Sequence, residues 1–566
     1  MTSATTTAAQ GFLTRLGQHG VSYLFANSGT DFAPLIEAYE GADTEQLSRW
    51  PTPLTITHET VAVGMAHGAY LVSGQPQAVM VHVNVGLANA IMGLINAQSD
   101  NIPILLFAGR TPITEYQRPG ARMTPIQYGQ EMRDQAGMLR DVVKWDYELR
   151  YGEQIIDAVD RAVSIALSEP LGPVFLGLPR EPLAETIAGG HDTHHPLPPQ
   201  QRPHLPDVAA IDELAKKIST AKFPLLICQR GDPAGRVGAA IERLCAARPI
   251  GIIEPFFIRN SLASDHPNHL GYQTKDLLDK ADCIIIVDSP VPWIPHFSAP
   301  RADCHIAHIG EDPLFTNLPM RSFSASQYIA GAPYLTLDLL ANHLSQIGFE
   351  TNPSLQNLKQ TRIEMLAATT KGFQEHGAIK PDQVAAALAP YMDDKTLVFS
   401  ELGPSPDLAR PQQANQWFTP PYSGGLGWGV PAAIGAKLAA PKKRVIACVG
   451  DGSYIFANPV ACNQVMASLG LPILVIVMNN HSWNATRRAA HNMYPNGAAA
   501  QNDNPVLTDL RPTPEFTTIA MASGGWANAI DDAANLEAAL TRAIEVVESE
   551  TRPATLEIKV SKRDGF

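Results

Sequence analysis

Between Arg444 and Ser482 the chain carries residue types that could hold a divalent metal against a diphosphate. An apolar run, Val445-Ile446-Ala447-Cys448-Val449, reads as a strand and ends in Gly450-Asp451-Gly452-Ser453. A helical stretch follows. A second apolar run, Ile473-Leu474-Val475-Ile476-Val477-Met478, then ends in Asn479-Asn480. In an open parallel sheet, ligands collect beyond the carboxyl ends of the strands. Two neighbouring strands would therefore set Asp451 and Asn480 side by side, each offering a hard oxygen of the kind Mg²⁺ or Ca²⁺ takes. Gly450 and Gly452 let the backbone approach a diphosphate, and Ser453 is expected to open a helix whose N-terminus favours an anion. Either half alone reads equally well as a plain turn or a strand cap. Their succession in one strand–helix–strand unit is what points to a metal. Two more residues are candidates. Glu59 starts the apolar run Thr60-Val61-Ala62-Val63-Gly64-Met65-Ala66, where an acid is also an ordinary partner of the helix dipole. His82 ends the run Val79-Met80-Val81 and belongs to the one side-chain type that titrates near neutral pH when unperturbed.

The elements that must position these residues repeat along the chain. Apolar strand-like runs alternate with helical stretches, which argues for parallel sheets and an α/β class built of doubly wound domains. A length of 566 residues is enough for three or four cores. We expect three domains, at 1–190, 207–345 and 375–566. A Pro-, His- and Gln-rich connector, Gly189-Gly190 and then His195 to Pro206, separates the first two. A polar, weakly ordered stretch near Glu350 to Gln360 separates the last two. The middle domain has strand-like runs at 224–227, 250–253 and 283–288 but no GxGxxG, so no dinucleotide site is expected there. The net charge of −13 argues against a nucleic-acid surface. No apolar run is long enough for a membrane span. The Thr/Ala-rich start, Met1 to Gln10, lacks a signal peptide's basic and apolar regions, so a cytoplasmic location is expected. The six cysteines form no CxxC pair and sit mostly in apolar runs, as reduced buried thiols do.

In its motifs the chain resembles the thiamine-diphosphate (ThDP) dependent enzymes. The GDG and NN segments match that family's cofactor motif. The segment Gly424-Gly425-Leu426-Gly427-Trp428-Gly429 precedes it, as in the family's decarboxylases and acetolactate synthase-like members. The N-terminal third carries Phe25-Ala26-Asn27-Ser28-Gly29-Thr30, then His58-Glu59, then His82-Val83-Asn84-Val85-Gly86-Leu87-Ala88-Asn89, in the order of the pyrimidine-binding domain. The likeness spans essentially the whole chain and is nearest to benzoylformate decarboxylase and acetolactate synthase-like proteins.

The resemblance implies a three-domain α/β fold (pyrimidine-binding, central Rossmann-like, diphosphate-binding), with ThDP and Mg²⁺ as cofactors. It implies roles residue by residue. Glu59 would hydrogen-bond the aminopyrimidine, and Leu426, after Gly425, would be the apolar wedge that bends the cofactor. Gly450, Gly452, Ser453 and Asn480 would line the diphosphate, and Asp451, Asn480 and Ser482 would hold the metal, Ser482 through its carbonyl. His82 would be a proton donor after CO₂ loss, and Thr30 would bind a substrate carboxylate. Trp483, Asn484, Arg487 and Arg488 would line a channel, and His296 would be a second active-site His. Departures stand beside these matches. Ser28 replaces a common Pro, Asn84-Val85-Gly86 replaces a Gly-Pro-Gly loop, and the stretch around Phe456-Ala457-Asn458-Pro459 is longer than in well-known members.

The implied activity is decarboxylation of a 2-oxo acid through a ThDP-bound carbanion, with aldehyde release or ligation to a second carbonyl. The alternatives are acetolactate synthase-like acyl transfer and a 2-hydroxyacyl-CoA or oxalyl-CoA lyase. The latter would want a CoA-binding tail or a basic pocket in the middle domain, and the short ending Lys562 to Phe566 decides neither. The middle domain lacks an FAD signal, which argues against that cofactor. A non-catalytic subunit would be expected to lose Glu59 or Asp451, and both are present. The family's site lies between subunits, which implies a homodimer or homotetramer.

Overall fold

Strands rich in Val, Ile and Leu build three parallel sheets, each buried on both faces as all-parallel sheets are. The computed structural model describes residues 6–187, 196–347 and 353–562. Residues 1–5, Gly189, Gly190 and His195 of the connector, Glu350 and the tail 563–566 lie outside the described residues. The chain forms two compact units.

The first unit comprises residues 1–201 with 421–441 and 456–471. Its six strands run, in spatial order, Thr52–Thr55, Tyr23–Ala26, Gln77–Val81, Ile104–Arg110, Val174–Pro179 and Asp146–Glu148, all parallel. The core on one face is built by Phe12, Leu13, Leu16, Phe107, Val159 and Leu176. Two helices matter most for the site. Glu59–Ser73 is capped by the His58 side chain, which accepts from Thr60 N–H, and ends at Gly74 in the left-handed region (φ 68°). Its residues from Val61 to Leu71 are all buried. It packs on Gly429–Ala439 with backbone close to backbone: a Cβ on Gly68 would fall 1.9 Å from Ala432 O, and one on Gly435 would fall 1.8 Å from Met65 O. A further helix, Val83–Ser99, begins directly after His82.

The second unit comprises 202–420, 442–455 and 472–566 and holds two sheets. One has five parallel strands in the order Gly251–Ile253, Pro224–Cys228, Cys283–Val287, His305–Gly310, Gln327–Ala330; the last two lie beyond those expected from sequence. The other has six, in the order Trp417–Phe418, Thr396–Glu401, Arg444–Gly450, Leu474–Asn479, Ala554–Lys559, Trp526–Ile530. The fold is thus α/β with three doubly wound parallel sheets.

The stretch expected to be weakly ordered is, from Pro353, a helix running to Lys371. Its buried residues are Leu355, Arg362 and Leu366, too sparse for an apolar stripe, and polar bonds secure it. Lys359 Nζ donates to the carbonyls of Ser264, His266 and His269, each at 3.0 Å, and Arg362 pairs with Asp407 at 3.0 Å. All six cysteines are free thiols, five of them buried. No helix among the described residues is long and apolar enough to cross a membrane.

Candidate active site

The residues of the metal-type motif, Gly450 to Ser453 and Asn479 to Ser482, lie in the second unit, whereas the stretch 456–471 between them is assigned to the first. Strands Arg444–Gly450 and Leu474–Asn479 are hydrogen-bonded neighbours, with Gly450 opposite Met478, so Asp451 and Asn480 leave the same sheet edge together. The helix opens at Asp451, two residues before the expected Ser453, and runs to Phe456. Asn458 then turns left-handed (φ 54°) and Pro459 starts a new helix, so the chain breaks between two helices here. The two asparagines divide their work. Asn479 is buried and clamps the turn: its Oδ1 accepts from His481 N–H at 3.0 Å and its amide donates to Glu557 at 2.8 Å. Asn480 is left to face the site.

Asp451 is 2 % exposed. Burial pushes its carboxyl pKa up, opposed by the backbone N–H groups of Gly452, Ser482 and His481. Its Oδ1 accepts from Gly452 N–H at 2.9 Å. Four buried oxygens here, Asp451 Oδ2, Ser453 Oγ, Asn480 Oδ1 and Ser482 Oγ, have no hydrogen-bond partner among the described residues. Each such atom costs on the order of 1–3 kcal/mol, so four in one motif call for a ligand. The donor set is one carboxylate with amide and hydroxyl oxygens, which suits a hard cation whose charge an anion helps to balance. Among the described residues no cluster of three or more His, Cys, Asp or Glu offers a competing metal site. The Ser482 carbonyl accepts from Asn484 N–H at 2.7 Å, which leaves one lone pair. A Cβ on Gly452 would meet the Trp483 ring at 2.2 Å, whereas one on Gly450 would make only ordinary contacts, the nearest at 3.6 Å. Arg487 is buried and donates to Asn484 at 2.9 Å, and His296 is exposed against Phe297.

Glu59, His82, Thr30, Gly425 and Leu426 lie in the first unit. Glu59 is 9 % exposed, and its Oε2 accepts from Asn89 at 3.1 Å. Two turns along the same helix, Asn96 holds Gly425 from both sides, donating to its carbonyl at 2.9 Å and accepting from its N–H at 3.1 Å. One helix therefore carries the anchors of Glu59 and of the loop before Leu426, about 10 Å apart along its axis. Leu426 is half-buried. Gly427 has φ 84°, and a Cβ there would fall 2.5 Å from Phe456 O, so only glycine serves.

His82 is oriented by a residue that sequence reasoning missed. Its Nδ1 lies 2.5 Å from Asp31 Oδ1, and Asp31 Oδ2 accepts from Val83 N–H at 3.2 Å. The hydrogen bond to Asp31 raises the His82 pKa above its ordinary value; partial burial opposes this, and the charges of Asp31 and Glu59 reinforce it. Val83 has φ 36°, a costly conformation for a β-branched residue, worth about 1–3 kcal/mol of strain. Thr30 is exposed beside Asp31, and its side chain makes no hydrogen bond among the described residues. Gln130, also missed, places its amide nitrogen 3.3 Å from His82 Nε2.

Comparison with known proteins places this arrangement. The family description "Thiamine pyrophosphate enzyme, N-terminal TPP binding domain" matches residues 6–138, and "Thiamine pyrophosphate enzyme, C-terminal TPP binding domain" matches 406–558. The chain belongs to the thiamine pyrophosphate enzymes. It is 27% identical over 562 residues to a benzoylformate decarboxylase of Pseudomonas aeruginosa, covering 96% of this chain and 97% of that one. It is 24% identical over 589 residues to an acetolactate synthase large subunit of Lactococcus lactis, covering 99% and 93%. Its fold matches a Rhodococcus jostii thiamine diphosphate-dependent 4-hydroxybenzoylformate decarboxylase with a TM-score of 0.79 at 21% identity, covering 99% and 100%. Among these thiamine pyrophosphate enzymes the family includes both decarboxylases and synthases.

Proposed function

We propose that this thiamine pyrophosphate enzyme uses Mg²⁺ and decarboxylates a 2-oxo acid, releasing an aldehyde or joining the remaining acyl unit to a second carbonyl. The observation that carries the decarboxylase reading is His82, held by Asp31 next to Thr30 in the unit that also carries Glu59. The likeness to benzoylformate decarboxylase supports it.

In this reading Asp451, Asn480 and Ser482 hold the metal. Gly450, Gly452 and Ser453 take the diphosphate, and Gly425 and Leu426 shape the cofactor's bend. When bound, the cofactor supplies the carbon nucleophile and electron sink that let a 2-oxo acid lose CO₂. The chain supplies proton control and orientation. Asn89 occupies Oε2 of Glu59, so Oε1 is the oxygen that holds or moves a proton. His82 donates from Nε2, the nitrogen turned away from Asp31. The Thr30 hydroxyl meets the substrate carboxylate. We propose three domains, at 1–190, 207–345 and 375–566. We further propose a cytoplasmic homodimer or homotetramer in which Glu59 and Asp451 of one site come from different subunits.

The test is CO₂ release from a panel of aromatic and aliphatic 2-oxo acids, pyruvate included, with ThDP and Mg²⁺ and products identified by mass. Aldehyde from an aromatic acid, lost in His82→Ala, is the expected result. The acetolactate synthase relative favours ligation as a second reading, and an acyloin from pyruvate would establish it. Turnover of no acid by protein that still binds ThDP would overturn both.

A further inference from the structure

The carboxylate of Asp31 touches no reacting group in the scheme above, yet its surroundings are built around His82. We propose that Asp31 is a positioning residue for His82: it fixes the imidazole with Nδ1–H turned inward and leaves Nε2 as the nitrogen that meets a reacting group. The proposal rests on the reading of His82 as proton donor.

The hydrogen bonds define the tautomer. An ionised carboxylate only accepts, so the nitrogen 2.5 Å from Asp31 Oδ1 must carry a hydrogen. A neutral His82 then has its lone pair on Nε2, and a charged His82 has its transferable proton there. The second carboxylate oxygen is engaged as well, by Val83 N–H, so the carboxylate cannot turn away without freeing a buried donor.

Two glycines make room for the pair. A Cβ on Gly29 would fall 2.1 Å from His82 Nδ1, and one on Gly109 would fall 2.0 Å from Asp31 Oδ2. Ring and carboxylate each fill the place where a side chain would stand. The left-handed Val83 aims its N–H at Asp31. Strain of this kind persists where the surroundings over-determine it, and it gathers at working sites.

The remaining neighbours suit both charge states of the ring. Gln130 is neutral; its amide donates to the Nε2 lone pair of a neutral ring or, turned over, accepts from a charged one. The charges acting on His82 are the carboxylates of Asp31, from the Thr30–Phe32 turn, and Glu59, from its helix start. The Arg180 guanidinium is engaged by the carbonyls of Thr30, Gly120 and Ala121. The balance favours the protonated ring, as a third group does for a catalytic histidine elsewhere.

The experiment uses the full-length enzyme loaded with ThDP and Mg²⁺, as wild type and as Asp31→Asn. The variant keeps the shape and an acceptor oxygen but removes the charge. Thermal unfolding and ThDP affinity confirm that it is folded. Histidines labelled at ¹³Cε1 are titrated by NMR, with His82 assigned from its missing signal in His82→Ala. We expect the wild-type midpoint to lie above the ordinary histidine value and to fall by about one pH unit or more in Asp31→Asn. The high-pH limb of kcat/KM should move down by the same amount. A wild-type midpoint at or below the ordinary value, or coincident midpoints in the two proteins, would overturn the proposal. Full activity in His82→Ala would overturn the reading of His82 itself, and Asp31's catalytic role with it. Activity lost in His82→Ala with unmoved midpoints would overturn the role of Asp31 alone.

Discussion

At the Asp451–Ser482 end of the second unit, four buried oxygens go without a partner among the described residues. In the first unit, the polar groups of Glu59 and His82 are already held by Asn89, Asp31 and Gln130. The first arrangement stores a deficit that a ligand can repair. The second spends its hydrogen bonds in advance, so that two side chains are aimed before anything arrives. Binding and chemistry therefore ask opposite things of their polar atoms: a binding site gains from leaving acceptors unmatched, and a proton-transfer site gains from side chains already aimed by their partners.

The widest break in that contrast should come from removing the working atoms one half at a time. Glu59→Gln keeps an oxygen for Asn89 but cannot carry the proton; kcat should fall by about 10²–10⁴-fold with ThDP still bound. Asp451→Ala should instead lose metal-dependent ThDP binding, seen by fluorescence quenching or calorimetry. Mixing Glu59→Ala with Asp451→Ala protein should restore partial activity if each site draws on two subunits. No restoration in verified mixed dimers would show that both groups act within one chain.

A smaller effect separates two glycines. Gly452→Ala drives a methyl into Trp483 and should cost about 1–3 kcal/mol in urea unfolding of the cofactor-free protein. Gly450→Ala meets only ordinary contacts, so cofactor-free stability should stay near wild type while ThDP affinity drops. Equal stability losses in the two would contradict the idea that the space over Gly450 is kept for a ligand.

The smallest effect is in pH. The Asp451 carboxyl pKa is raised in the folded protein, so the folded state holds this proton more tightly than the unfolded chain does. The ionised group therefore costs stability above the raised value, and the cost is relieved as pH falls through it toward the ordinary carboxylate value. Metal-free Asp451→Asn should be the more stable protein at neutral pH. The gap in urea midpoints should close in that acidic window and vanish when Mg²⁺ and ThDP saturate the wild type.

What the sequence made legible follows from chain distance. Asp451 and Asn480 were visible because each follows its own apolar strand, and a sheet converts strand ends into neighbours. Asn89 and Glu59 are neighbours for a subtler reason: the helix after His82 had to begin at Val83, and nothing in Asn84-Val85 announces a left-handed start. Asp31 stood one position from Thr30, which was singled out. That its carboxylate reaches His82 depends on Gly29 and Gly109 making room, and a pattern of residue types does not encode this. Gln130 sits in a loop whose path is set by Arg110 and Arg122 reaching Glu131, contacts between remote charges. The helix Pro353–Lys371 is hard to read from the sequence because polar bonds, and not a periodic apolar face, secure it.

The close seating of Glu59–Ser73 on Gly429–Ala439 has a consequence in time. With no side chain between the two backbones at Gly68 and Gly435, the pair can part only by unpacking the first unit, so its amides should be among the slowest to exchange with solvent. The loop of residues 113–130, with Tyr116, Met123 and Tyr128 exposed, has far less to break and should exchange in local openings. The first unit can thus open at this loop without loosening the helix that carries Glu59.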